Sequence, residues 1–333
     1  MKLFTKLTPI AATLLLSFGS ISAVSANDDF KLSEKLSVTG FIDMSMLMTD
    51  VDGMDSDRTM GLDQFEVDFL YGFNDKLTAQ VDLEYHDNGN GQEVHIEQAF
   101  MSYGLTNEFS VKAGKFLSYS GWETEDPTGL FQYSGTGYAK YFYGGYQQGV
   151  SGLYSTDTYA LAISVINDLG DLTGVNTDFN DPAIETMVAI MPTESITVKG
   201  FYSMDKLGNT GLDTTLINLW ASYAQGPITL AVEYNISENA PATGATTGNA
   251  IDATGFLLMG NYAFGDWGMT LRYHAYELEN YAGITTEDVS GITISPSYKV
   301  NDYLSMIFEY RMDSVDVGGA DTDYLAIEAL VTF

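Results

Sequence analysis

The stretch Asp323-Tyr324-Leu325-Ala326-Ile327-Glu328-Ala329-Leu330-Val331-Thr332-Phe333 decides the fold. Leu325, Ile327, Ala329, Val331 and Phe333 share one face, and Tyr324, Ala326, Glu328 and Thr332 share the other. A period of two is the pattern of a strand with one apolar side. The strand ends on an aromatic residue, an exposed end that suits a soluble protein poorly. Both features follow if this strand pairs with the first one and closes a barrel, because a sheet in lipid must leave no edge. The expected fold class is all-β, a transmembrane antiparallel β-barrel.

Working back from this strand, tight-turn signals recur at Asn74-Asp75, Thr106-Asn107, Thr156-Asp157, Pro192-Thr193, Gln225-Gly226, Gly265-Asp266 and Asn301-Asp302. Each is flanked by alternating apolar residues, as in a hairpin. Each interval has room for two strands of roughly 10–12 residues and a longer loop. The count is about 16 strands, seven short turns and eight long loops, with both chain ends on the short-turn side.

Alternation assigns the faces. Phe65, Val67, Phe69, Tyr71 and Phe73 oppose Gln64, Glu66 and Asp68. Leu77, Ala79, Val81, Leu83 and Tyr85 oppose Thr78, Gln80, Asp82, Glu84 and His86. Leu304, Met306, Phe308 and Tyr310 oppose Ser305, Glu309 and Arg311. A soluble β-sandwich would also alternate, so the aromatics decide. Tyr71, Phe73, Tyr103, Phe109, Tyr154, Tyr159, Tyr223, Tyr262, Phe264, Trp267, Tyr298, Tyr303 and Phe333 all lie beside short turns or the terminus. That places them at one height, as an interfacial girdle.

Residues 1–26 read as a secretory signal: Lys2 and Lys6, an apolar run from Leu7 to Phe18, then Ala23-Val24-Ser25-Ala26. The run is shorter than the roughly 20 residues a membrane helix needs. Residues 27–333 are then expected to form a single barrel domain, with Pro241–Asn249 inside a loop. The chain has no cysteine, which excludes disulfides and thiol chemistry. Only 18% of residues are charged, yet the formal net charge is −31. Nucleic acid is an unsuitable partner for such a surface. Adaptation to salt would explain the total charge, but not where the charges sit.

A wide barrel of about 16 strands leaves a watery lumen rather than a packed interior. The lumen-facing acids by alternation are Asp43, Glu66, Asp68, Asp82, Glu84, Glu233, Glu309 and Glu328, and the bases Lys112, Lys199, Arg272, Lys299 and Arg311. Acids near the front of the chain and bases near its end would form opposed charged walls. The competing reading is mutual salt-bridging. The excess of acids favours cations.

Three segments resemble the OmpL-like porin family (β-barrel porin-2): Asp63-Gln64-Phe65-Glu66-Val67-Asp68, Glu97-Gln98-Ala99-Phe100-Met101-Ser102-Tyr103 and Lys112-Ala113-Gly114-Lys115-Phe116. A Gly-Trp-Glu and Asp-Pro loop follows at Gly121–Pro127, and the terminal Phe333 resembles the closing signal of bacterial outer-membrane barrels. The resemblance runs from Gln64 to about Asp168. It implies a channel for small hydrophilic solutes in the bacterial outer membrane, reached by export through the periplasm. There is also a distant resemblance to phosphate-selective porins, but their basic ladders are missing: the arginines are Arg58, Arg272 and Arg311. In general porins the third long loop folds inward. Here that loop is residues 117–145, the candidate constriction, and it carries Glu123, Glu125 and Asp126. Trp122 and Phe131 would pack it against the wall; the alternative is an external flap.

The expected function is passive diffusion of ions and small hydrophilic solutes, with cation preference. Lipid and lipopolysaccharide are the surrounding partners, and a homotrimer is expected by resemblance. The competing readings are a non-conducting structural or adhesin barrel and, further off, a barrel lipase or protease. His86, His95 and His274 show neither a zinc spacing nor an adjacent serine, so no catalytic, cofactor or metal site is assigned. Loop acids Asp50, Asp52, Asp55 and Asp57, and Asp168, Asp171, Asp178 and Asp181, could meet divalent cations, but Gly53 sits too early for a calcium loop of the EF-hand type.

Overall fold

The computed structural model describes residues 30–33, 35–87, 92–169, 177–206, 213–239 and 251–333. The signal-like residues 1–26, Asp171, Pro241–Asn249 and the side chain of His86 lie outside what is described. A short strand β1 (Phe30–Ser33) pairs with β2 (Leu36–Val51). The chain continues through β3 (Asp57–Gly72), β4 (Leu77–Asp87), β5 (Gln92–Gly104), β6 (Phe109–Leu117), β7 (Tyr146–Ser155) and β8 (Tyr159–Ile166). It then forms β9 (Ala183–Thr193), β10 (Ile196–Lys206), β11 (Asp213–Gln225), β12 (Ile228–Glu238) and β13 (Ile251–Phe264). The last four are β14 (Trp267–Asn280), β15 (Thr285–Lys299), β16 (Leu304–Val317) and β17 (Thr322–Thr332).

Each strand from β2 to β17 pairs antiparallel with its neighbours in sequence, and β17 pairs with β2. The 16 strands therefore form a closed barrel. The seam runs from Thr322↔Val51 to Thr332↔Phe41. Beyond it, Gly40 N–H donates to the Phe333 carbonyl and Phe333 N–H to the Gly40 carbonyl, both at 3.0 Å. Helix is confined, among the described residues, to α1 (Ala139–Phe142) and a 3-10 turn at Pro127–Gly129. Among the described residues no helix is long and apolar enough to cross a membrane.

The side-chain alternation follows the strand period. Leu325 and Ile327 are exposed on the outer face while Ala326, Glu328 and Leu330 are buried within. Phe109 pairs with Tyr154, Phe264 with Trp267 and Trp267 with Tyr298 across neighbouring strands. Ring contacts join Tyr71 to Phe73, Tyr154 to Tyr159 and Tyr262 to Phe264. These aromatics flank the short turns and form a collar at one end of the outer wall.

Two details of the sequence reading are corrected. The turn expected at Pro192-Thr193 lies at Glu194-Ser195, and the one at Gln225-Gly226 lies at Gly226-Pro227. Pro192 is accommodated in β9 because the ladder with β10 shifts register there, so no N–H is required of it. The eight opposite connectors are not all long. The 16 barrel strands run from 8 to 16 residues and absorb much of the expected loop, leaving 281–284 and 318–321 as short links.

The seam supplies a test. A Cβ built at Gly40 would lie 2.2 Å from the Glu66 carbonyl oxygen and 2.8 Å from the Phe333 ring. The backbone oxygen has no room to yield, so Gly40→Val is expected to block closure. In a heat-modifiability gel, the fast-migrating folded band should be lost or strongly reduced; a band of ordinary intensity would contradict this packing.

Candidate functional site: an acid-faced lumen crossed by a loop

The segment between β6 and β7 lies inside the ring, and its attachments can be followed around the wall. At its start Ser118 Oγ donates to Glu185 on β9 at 2.6 Å, and the Tyr119 hydroxyl meets Ser151 on β7 at 3.2 Å. Gly121 N–H donates to Asn218 on β11 at 3.1 Å. The central anchor is Glu233 on β12, which is fully buried. It accepts from Trp122 N–H at 2.8 Å, Asn218 Nδ2 at 2.6 Å and the Tyr138 hydroxyl at 2.8 Å, and also from the Tyr143 hydroxyl. Burial, followed by the charge of Glu233, pushes both phenols well above their usual pKa, so they stay protonated and donate.

Arginines hold the middle of the loop. Arg272 on β14 pairs with Glu123 at 2.5 Å and donates to the Ser134 carbonyl at 2.5 Å. Glu123 also accepts from Thr136 N–H at 2.7 Å. Arg311 on β16 donates to the carbonyls of Gly135 at 2.6 Å and Thr136 at 3.0 Å, and pairs with Asp313 at 2.5 Å. Ser134 N–H and Oγ both donate to Glu309 on β16, at 3.0 and 2.5 Å. Two strands further round the wall, the Tyr133 hydroxyl reaches Ser45 on β2 at 3.0 Å. Its phenol is pushed up to about 12, chiefly by burial.

An aromatic cluster complements these polar ties. Trp122, Tyr138, Tyr141, Phe142 and Tyr143 pack on Trp220, Ala231, Ala253, Leu257, Met259 and Leu278 of β11 to β14. Phe142 lies over Gly255, where a Cβ would come within 2.5 Å of its ring. The missing side chain at that position is what lets the loop sit down.

On the opposite side of the ring the wall is acidic. Glu66 and Asp68 on β3, Asp82 and Glu84 on β4, and Glu97 on β5 gather there, and the loop brings Asp126 to them. Asp82 accepts from Gln80 at 2.9 Å and Gln98 at 2.8 Å, Asp68 from Thr39 at 2.9 Å, and Glu84 faces His95 at 2.8 Å. Burial, together with the charges of Asp68 and Glu125, pushes the Asp126 carboxyl up to about 8. Nearby, Asp43 and Glu328 are buried on β2 and β17.

Of the residues picked out by alternation, Asp43, Glu66, Asp82, Glu84, Lys199, Glu233, Arg272, Glu309, Arg311 and Glu328 are buried inside the barrel, and Asp68 and Lys112 are partly so. Glu233 and Glu309 are covered by the loop that they hold. Lys112 sits among the rings of Phe116, Tyr119 and Phe100, and Lys199 over Trp220. Lys299 is at the turn, paired with Asp302 at 2.8 Å, and Glu125 is exposed. The opposed basic wall is therefore corrected. The arginines are engaged by the loop and Asp313, and the wall facing the acids is covered by the aromatic cluster of the loop.

Alternation missed Asp63 and Glu97. Each is the extra residue of a β-bulge: the register passes from Asp43↔Gln64 to Met44↔Leu62, and from Asp82↔Gln98 to Leu83↔Ile96. A bulge re-aims a side chain against the period of two, so no count along the strand would find them. Glu185, His274 and Asp313 carried a visible signal, since they have the parity of buried neighbours.

Residues 55–333 match the family described as Putative beta-barrel porin-2, OmpL-like. The chain belongs to that family. The match extends well beyond the third of the barrel that carried the sequence resemblance. No curated protein matches the chain by sequence. Among solved structures the fold is similar to OmpF of Salmonella typhi in complex with daunomycin (TM-score 0.69, 15% identity, covering 90% of this chain and 97% of that one). It is also similar to an anion-selective porin from Comamonas acidovorans (0.67, 15%, 90% and 99%) and to the trimer form of OmpT, an outer membrane protein of Vibrio cholerae (0.61, 17%, 90% and 100%). At these identities the likeness concerns the fold alone.

The anchoring of this porin-family loop is testable. Glu233→Ala strands several buried donors at once, at a cost of about 1–3 kcal/mol for each group left unsatisfied. In detergent, chymotrypsin should cut the variant within residues 118–145 at least several-fold faster than the parent, with the barrel still closed. Equal cleavage rates would contradict the role given to Glu233.

Proposed function

We propose that the protein is an outer-membrane porin, a passive diffusion channel for ions and small hydrophilic solutes with a preference for cations. The observation that carries this reading is the closed 16-strand ring with a loop held across its lumen beside a wall of carboxylates. Carboxylates of β2 to β5 and β17 would attract and sort cations, while Arg272 and Arg311 are already engaged. The exposed apolar outer face and its aromatic collar suit lipid and lipopolysaccharide. Export through the periplasm and assembly as a homotrimer belong to the same proposal, the latter prompted by the trimer form of OmpT.

Catalysis is not part of this reading. His274 is fully buried, with Nε2 3.6 Å from Asp313, and His95 faces Glu84. Neither offers a nucleophile–base pair on an accessible surface. A non-conducting barrel is the second reading, favoured by the aromatic cluster that fills one sector of the lumen. Swelling of liposomes in small sugars separates the two: a pore swells them in a size-dependent way and a plug does not.

In a planar bilayer under a KCl gradient, the reversal potential should favour K⁺ over Cl⁻. The double variant Asp68→Asn, Asp82→Asn should lower the permeability ratio by about half, since it removes two charges from the focusing wall. Anion preference in the parent protein would overturn the cation assignment.

A further inference from the structure

We propose that Glu66, Glu97 and Asp126, joined by Asp68, form a calcium site that clamps the lumen loop to the β3–β5 wall. The loop is tied to β9, β11, β12 and β16 by hydrogen bonds from neutral donors and to β14 by the Arg272–Glu123 ion pair. At Asp126 the situation reverses, because the charges bearing most on it are Asp68, Glu125, Asp82 and Glu84, all of its own sign. When ionised, these groups push the loop away from the wall. A cation held between them turns the repulsion into a tie.

The geometry fits an ion. One carboxylate oxygen from each of Glu66, Glu97 and Asp126 lies within 4.8 Å of the others, and a second set of Glu66, Asp68 and Asp82 shares Glu66. Two oxygens on one Ca²⁺, each at about 2.4 Å, are at most about 4.8 Å apart. Mg²⁺, at about 2.1 Å, would need them closer, and it gives up its water less readily. The orphan atoms are a second and independent observation. Glu97 is 2% and Glu66 4% exposed, yet Oε2 of each finds no hydrogen-bond partner, and neither does Oδ1 of Asp126 or of Asp68. A buried carboxylate oxygen without a donor is costly; three such residues, Glu66, Glu97 and Asp126, meet in one triad, and Asp68 adjoins it through the shared Glu66, an arrangement that suits a hard cation. Asp82 is satisfied by Gln80 and Gln98, so it stands in the outer shell. The bulge that turns Glu97 inward supplies a ligand that regular alternation would have sent to lipid.

The purified full-length barrel in detergent, stripped with EGTA, should take up Tb³⁺ with luminescence sensitised by Tyr146, which lies against Glu97. Ca²⁺ should displace it with a stoichiometry of one per chain. Glu97→Gln and Asp126→Asn should each weaken Ca²⁺ binding at least about tenfold, whereas Asp57→Asn at the strand rim should leave it unchanged. Asp126 is in the loop, so its variant keeps the ring closed, as the folded gel band will report. Absence of saturable uptake, uptake unaltered in both variants, or Mg²⁺ competing as well as Ca²⁺ would overturn the site. The titration needs no conducting pore, so its failure would be distinct from failure of the porin reading.

Discussion

Every backbone N–H and C=O that lies in lipid must find its partner inside the protein, and the pairing of β17 with β2 is where this chain meets that demand. Without the seam, the remaining ladders would still leave two open edges in hydrocarbon. With it, the ring has no edge and the two faces of each strand are sorted. Apolar side chains go to lipid, and the remaining side chains are enclosed in a space too wide for them to fill. The loop between β6 and β7 occupies part of that space, and the rest of the lumen is organised around how it is held.

The loop is held by unlike means on its two sides. Towards β11 to β14 it is bound as a protein core is, with rings packed on Trp220, Leu257 and Met259 and with Glu233 buried under four donors. Towards β3 to β5 it meets carboxylates and brings one more of its own. Specific packing on one wall and electrostatic tension on the other give the lumen a polarity that neither the barrel nor the loop has alone. The proposed preference for cations and the proposed calcium site both rest on that polarity.

Much of the fold was legible because the period of two is written into β3, β4, β16 and β17, and because five of the seven turns are marked by an Asn or Asp. Pro192 misled by two positions, since a register shift makes room for it inside β9. Strand lengths were not legible: a polar strand above the membrane and a loop look alike in sequence. In the lumen, parity located Glu66, Asp82, Glu233 and Arg311, but it did not say which of them would face water and which would be covered. That depends on where Trp122, Ser134 and Tyr143 land, a matter of contacts between segments far apart in the chain. Asp63 and Glu97 were hidden for a local reason, because a bulge breaks the very rule by which inward residues are counted.

The most direct test uses the absence of native cysteine. With Ser134→Cys and Glu309→Cys, whose parent side chains are in hydrogen-bond contact, oxidation should join loop to wall, and the locked barrel should still conduct in a planar bilayer. If the pair stays reduced and the thiol introduced in the loop is modified by a bulky external maleimide, the loop is outside the ring. If the lock forms and conductance is absent in both the locked and the parent protein, the lumen is closed. Either result would contradict the account.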